Sequence, residues 1–173
     1  GEISAYAFLV NRYKDMAYSI SLKIIRNPQE AEDATQESFI KAYESLGTFK
    51  GTSKFSTWLY TIVYRTSIQM IQGKKTTYLS IHEEITDQLP TDHKMSQLEQ
   101  LQTNERSRYI TKAINELPPT EAILVTLYYL NESPIKEISE ITGLSRPNIK
   151  IQLFRARKKL ERKLSFLHQH YSK

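Results

Sequence analysis

The stretch that most constrains this chain is residues 133–163, SPIKEISEITGLSRPNIKIQLFRARKKLERK. It predicts two short helices joined by a tight corner. Ser133 is the expected N-cap of the first, with Pro134 at the first helical position, where a missing N–H costs nothing. Ile135, Ile138 and Ile141 recur every three residues and form one apolar stripe. Gly143 supplies the permissive backbone that a sharp helix–helix corner requires, and Leu144 can plug it. Ser145 is the expected cap of the second helix, and Pro147 still falls in its first turn. Ile149, Leu153, Ala156 and Leu160 then make a single inward stripe. Arg146, Lys150, Arg155, Lys158, Lys159 and Arg162 are left mostly outside it. A capped corner with cations on the outer face of the second helix only is the pattern of a DNA-reading helix-turn-helix. An ordinary helical hairpin would not need to gather its cations there.

Charge along the chain supports that. Residues 1–75 carry 10 Lys+Arg against 7 Asp+Glu, residues 76–102 carry 1 against 5, and residues 103–173 carry 13 against 7. Within the last segment, 144–173 holds 9 cations against 1 acid. So concentrated a surplus points to a polyanion, most simply nucleic acid.

Other classes have little to stand on. There is no cysteine, hence no disulfide framework, Cys-ligated zinc or thiol chemistry. His82, His93, His168 and His170 fall in a polar stretch and the tail without zinc-ligand spacing. Five scattered glycines form no phosphate loop. No catalytic constellation emerges, and no cofactor or metal is expected. No run approaches the roughly 18 apolar residues of a membrane span. The stretch GEISAYAFLVNRYKD has no basic lead and no small-residue cleavage site, so it is not read as a signal peptide. A cytoplasmic protein without direct membrane contact is the expectation. Residue 1 is Gly rather than Met, as in a trimmed chain.

From the N-terminus, residues 4–26 predict an amphipathic helix with Ala5, Phe8, Leu9, Tyr13, Met16, Ala17, Ile20 and Ile24 inward. Asn27 and Pro28 break it and start a second, about 28–46, as N-cap and first residue. Ala31, Ala34, Phe39, Ala42, Tyr43 and Leu46 can face the core. Asp33, Gln36 and Glu37 form a compact outward patch beyond the first turn, where the helix dipole alone does not account for acid. Gly47 is expected to end this helix. A loop, TFKGTSKF, leads to a third helix opening near 53–56 and ending at Gly73. Phe49, Phe55, Trp58, Tyr60 and Tyr64 are interleaved there with Lys50, Lys54 and Arg65, a mixture suited to unstacked bases and phosphates. Trp58, by itself, reads as part of the small three-helix core. Residues 76–102 read as an acidic linker. A helix over about 95–116, a break at Leu117-Pro118-Pro119 and a helix capped by Thr120 complete a second, four-helix module. The predicted fold is all-α: an N-terminal three-helix domain (1–75) and a C-terminal domain (103–173) joined by a flexible linker.

The order of these parts resembles the extracytoplasmic-function (ECF) sigma factors of bacterial RNA polymerase. The motifs are D-x-x-Q-E-x-F (Asp33, Gln36, Glu37, Phe39), F-S-T-W-L from Phe55 to Leu59, L-P-P at 117–119 and L-F-R-A-R-K-K-L from Leu153 to Leu160. Together they span nearly the whole chain. The resemblance implies a non-enzymatic specificity subunit that binds core polymerase and directs promoter-specific initiation. Asp33, Gln36, Glu37 and Phe39 would dock on the clamp helices of the largest subunit. Phe49, Lys50, Lys54, Phe55, Ser56, Trp58, Tyr64 and Arg65 would hold the minus-10 element as melted single strand, with a base flipped out of the stack. Ser145, Arg146, Pro147, Asn148, Lys150 and Ile151 would read the minus-35 element as duplex, with Arg155, Arg157 and Lys158 on phosphates. An anti-sigma factor is a common further partner in the family. The chain departs from the family pattern at Arg65 (usually Asn), Gln69 (Asp), Gln72 (Arg) and Gln152 (basic), so its promoter preference is not copied from relatives. The rival is a stand-alone helix-turn-helix regulator with an N-terminal sensor domain, which the first 75 residues, lacking a ligand-pocket or phosphoacceptor pattern, do not support.

Overall fold

A computed structural model of the chain describes residues 2–79 and 105–171. Most of the expected linker, with His82, His93 and Pro90, lies outside the described residues, as do the side chains of His168 and His170. The chain divides into two compact units, 1–95 and 96–173. Every regular element among the described residues is helical.

The first unit packs α1 (Glu2–Ile25), α2 (Pro28–Ser45) and α3 (Phe55–Leu79) against one another. Asn27 caps α2 as expected, its Oδ1 accepting the Glu30 N–H at 3.2 Å with Pro28 in the first turn. Ala17, Ile20, Ala31, Ala34, Ala42, Leu59 and Val63 form the centre. The alanines let the helices approach closely, and buried hydroxyls occupy the same level. The Ser21 hydroxyl lies 3.2 Å from that of Thr35 and 3.1 Å from that of Ser67, so one polar node joins all three helices. Thr35 also donates to the Ala31 carbonyl, and Ser38 to that of Ala34.

Several boundaries and faces differ from expectation. Phe8 is 65% exposed and Ala5 is also outside, because Phe8 sits sixteen residues before Ile24. That separation turns it about 160° from the buried stripe at 3.6 residues per turn. Gly47 does not stop α2 abruptly; it lies in a 3₁₀ turn, Leu46–Thr48, that tightens the helix end. Helix α3 runs through Gly73 to Leu79, since one glycine inside an established helix costs only about 1 kcal/mol.

The second unit comprises α4 (Glu105–Asn115), α5 (Pro119–Val125), a π turn (Thr126–Leu130), α6 (Ile135–Thr142) and α7 (Arg146–Tyr171). Residues 121–127 are all buried, so α5 is the axis of this unit rather than an amphipathic surface helix. Thr120 is not its cap: the helix starts one residue earlier at Pro119, whose fixed φ and absent N–H suit a first helical position, with Pro118 before it. Similarly, Pro134 rather than Ser133 occupies the cap position of α6. Ser133 is buried instead; its N–H donates to the Leu127 carbonyl at 2.9 Å, and its hydroxyl accepts from Asn131 Nδ2 at 2.8 Å.

Candidate nucleic-acid and polymerase interfaces

The corner between α6 and α7 is built as its sequence requires. Gly143 has φ +75°, a left-handed conformation that favours glycine, and its N–H closes on the Ser139 carbonyl at 2.9 Å. The Ser139 hydroxyl donates to the Leu144 carbonyl at 2.7 Å, and the Leu144 N–H reaches the Thr142 hydroxyl at 3.3 Å. Ser145 Oγ accepts the Asn148 N–H at 3.4 Å, capping α7. Ile138, Ile141, Ile149, Leu153 and Ala156 are buried between α6 and the rest of the unit. The angle between the two helices is therefore fixed by backbone closure and by packing together.

With its apolar stripe inward, α7 presents Pro147, Lys150, Ile151, Phe154 and Lys158 along one outward line, each exposed. Ser145, Arg146, Arg155 and Arg157 are exposed too, and Asn148 is half-buried. Arg155 and Arg157 lie about 80° to either side of the outward line. A helix so arranged can insert its line into a major groove while a guanidinium on each shoulder faces a phosphate strand. Phe154, 55% exposed, is central to that line and was not singled out from sequence. Its signal was available: it is i+3 from Ile151 and i+4 from Lys150, and the inward stripe never needed it. Lys158 Nζ stands 5.9 Å from its ring centroid.

In the first unit, Asp33, Gln36 and Glu37 share an exposed face of α2 with Ile40, which is 59% exposed. Glu37 pairs with Lys41 one turn on, at 2.7 Å. Phe39 faces inward, as its place in the apolar period predicts, and this corrects its place in the docking set that the resemblance implies. It is buried with the core, and its carbonyl accepts the Tyr6 hydroxyl. A side chain three residues from Gln36 and six from Asp33 but only two from Glu37 can turn inward, and Phe39 does. The apolar member of the exposed face is Ile40.

The aromatics near α3 form one interlocked cluster. Phe49 lies 5.1 Å from Trp58 and 5.8 Å from Phe55, Phe55 lies 5.5 Å from Trp58, and Tyr13 of α1 joins at 5.5 Å from Phe55. These four rings are half-buried, so each keeps an accessible edge while its neighbours hold it. Tyr13 was read only as core; its place beside the loop follows from α1 crossing α3. Arg12 lies 5.8 Å from the Tyr13 ring. Lys50 and Lys54 are exposed around the cluster, Ser56 is half-buried, and Gly51 at φ +68° turns the loop. On α3, Arg65, Gln69 and Gln72 are exposed, whereas Tyr64 is half-buried and desolvation raises its pKa. Tyr60 turns into the core, where desolvation, with Tyr13 adding and Arg12 opposing, pushes its pKa up to about 12.

No group of acidic or histidine side chains among the described residues could hold a metal ion, and no helix there is long and apolar enough to cross a membrane. What the two units present are a basic groove-fitting helix, an acidic helix face and an aromatic–basic loop.

Comparison with known proteins agrees with this division. Residues 9–77 match the Sigma-70 region 2 family, and residues 107–160 match the Sigma-70, region 4 family. The chain is 32% identical to the ECF RNA polymerase sigma factor SigW of Bacillus subtilis, over 95% of this chain and 91% of that one. It is 30% identical to SigM of the same organism, over 86% and 88%. The fold resembles that of the sigma factor RpoE of Bartonella quintana, solved in complex with the anti-sigma factor NepR, with a TM-score of 0.69, 18% identity, and coverage of 93% of this chain and 97% of that one. By both family matches, in order and on separate units, this chain belongs to the ECF sigma factors of bacterial RNA polymerase.

Proposed function

We propose that this sigma factor divides its work between the two units. The α2 face of Asp33, Gln36, Glu37 and Ile40 docks on the clamp helices of the polymerase largest subunit. Acidic side chains around one exposed apolar residue suit a basic helical partner with an apolar seat. The loop and α3 hold the melted minus-10 strand, with Phe49, Phe55, Trp58 and Tyr64 offering ring edges to bases and Lys50, Lys54, Ser56 and Arg65 facing the backbone. Helix α7 reads the minus-35 duplex through Arg146, Pro147, Asn148, Lys150 and Ile151, with Phe154 added. Arg155, Arg157 and Lys158 hold phosphates.

The observation that carries this is the outward line of α7, flanked by Arg155 and Arg157 and set at a fixed angle by Gly143. A stand-alone regulator would use the same helix but would leave the acidic α2 face without a partner. A structure of related fold is named as a complex with an anti-sigma factor, which favours such an inhibitor here. The protein acts in the cytoplasm, catalyses no reaction itself and needs no cofactor.

In vitro transcription with purified core polymerase over a promoter library tests this reading. Core with the chain added should initiate at a discrete promoter set, and the free chain should bind duplex DNA only weakly. Tight sequence-specific binding by the free chain, with no stimulation of core, would assign it to the regulators.

A further inference from the structure

The helix-turn-helix accounts for the cations of α7 but leaves two phenols beside them unused. The π turn Thr126–Leu130 follows the buried α5 and is closed by the Asn131 N–H on the Thr126 carbonyl at 3.0 Å. Its wider winding brings three consecutive large residues to the surface: Tyr128, Tyr129 and Leu130 are 37%, 46% and 58% exposed. Such π turns are rare and cluster at functional sites. The two tyrosine rings sit edge to face at 4.9 Å, so each restricts the other. Together with Ile135, Lys150, Leu153 and Arg157, they line a cleft of about 200 Å³.

The position of this cleft on α7 is informative. Lys150, at the edge of the outward line, and Arg157, on the shoulder beside it, are seven residues apart and lie on the same side of the helix. When a helix lies in the major groove, that shoulder faces one of the two phosphate strands bordering the groove. Two cations, two hydroxyl donors and an apolar floor of Ile135 and Leu153 make a seat for a compact oxyanion. A protein carboxylate has the charge but would have to arrive where the duplex lies.

The geometry points to a phosphate-binding subsite for promoter DNA, in which Tyr128 and Tyr129 donate to one backbone phosphate that Arg157 holds, with the charge of Lys150 adding attraction from the edge of the base-reading line. This rests on the minus-35 role assigned to α7. The two phenols are positioning residues: they set the register of α7 along the duplex without reading a base.

Holoenzyme assembled from core polymerase and either the wild-type chain or a Tyr128→Phe/Tyr129→Phe chain is titrated with a promoter chosen by library transcription. A second series carries a single uncharged methylphosphonate at each phosphate across the minus-35 element. Both rings remain in the variant, so packing is preserved and only the two hydroxyls are lost. The variant should bind every promoter about fivefold more weakly, as expected for one or two hydroxyl–phosphate hydrogen bonds. Its salt dependence should be unchanged, because phenols are neutral. One methylphosphonate should weaken the wild type by more than it weakens the variant, because the variant has only the attraction of its cations left to lose there; equal losses at every phosphate in both chains overturn the subsite. Wild-type affinity in the variant, or a loss confined to certain base sequences, overturns the subsite while leaving the minus-35 role standing. If the wild-type holoenzyme shows no preference for the minus-35 element at all, both fall.

Discussion

Lys159 of α7 pairs with Glu121 of α5, Nζ to Oε1 at 2.7 Å, and Glu121 is 95% buried. The second carboxylate oxygen, Oε2, has no donor among the described residues. A carboxylate at the third helical position would ordinarily take a backbone N–H from the cap, but here the cap and first residue are Pro118 and Pro119, which have none. One turn further, Lys163 reaches Glu116 on the other side of the same Leu117-Pro118-Pro119 corner. Two of the cations in the C-terminal surplus therefore hold the recognition helix to its own domain and are not free to serve DNA.

Replacing Lys159 with Met should cost about 2 kcal/mol in unfolding free energy, less than for a wholly buried pair because Lys159 is partly exposed. Adding Glu121→Gln to that variant should recover part of the loss by removing the orphaned charge. Denaturant unfolding of the four chains in a double-mutant cycle measures the coupling. Simple additivity would show that the pair does not anchor α7.

Reversing charge with Asp33→Lys and Glu37→Lys should abolish binding to core polymerase at unchanged helicity. The Glu37–Lys41 pair is exposed, so its loss costs only a few tenths of a kcal/mol. Ile40→Ala should weaken core binding roughly tenfold, while the conservative Phe39→Leu, a core change, should lower stability and leave affinity for core nearly intact. Fluorescence titration against core polymerase separates the two residues.

At the promoter, Phe154→Ala should reduce discrimination among minus-35 sequences by about 1 kcal/mol, because an aromatic side chain in the groove reads thymine methyl groups. Replacing thymine by uracil in the element should produce the same loss in the wild type and little more in the variant. Arg157→Gln should instead weaken all promoters alike and reduce the slope of log affinity against log salt by about 0.9.

Within the first unit, Ser21→Ala should destabilise by about 1–2 kcal/mol, since it strips the hydroxyls of Thr35 and Ser67 of their shared buried partner. Thermal unfolding, with Ser19→Ala as a more exposed comparison, reads the difference.

Alkaline titration tests the placement of Tyr60. Its pKa rises from 10.0 to about 12 on folding, so between those values the unfolded chain has lost a proton that the folded chain keeps. Stability from this group is complete below about pH 10 and falls as pH climbs towards 12. Tyr60→Phe should shrink the fall in melting temperature over that window. A variant as alkali-sensitive as the wild type would place the effect on other groups.

Much of this was legible before any coordinates. The Gly143 corner, the Ser145 and Asn27 caps and the buried stripe of α7 depend on residues within one or two turns of each other, and local chemistry decided them. The expected caps at Thr120 and Ser133 failed for a common reason. Each had a proline beside it that fitted the helix boundary better, and Ser133 had a distant partner in the Leu127 carbonyl. Phe8 and Tyr43, both expected inward, are exposed instead, because several faces can be drawn through an apolar-rich segment, and only neighbouring helices choose among them.

By itself the sequence determined the all-α class, the helix-turn-helix, the order of parts that marks an ECF sigma factor, and the outward position of most cations of α7. All of these follow from residue type and helical period. Only tertiary structure decided which of the basic side chains remain available. Lys159 and Lys163 look equivalent to Arg155 and Lys158 along the chain, yet Glu116 and Glu121 claim them because α5 packs across the base of α7. The same packing opened the cleft beside Tyr128 and Tyr129, which no spacing along one helix could reveal.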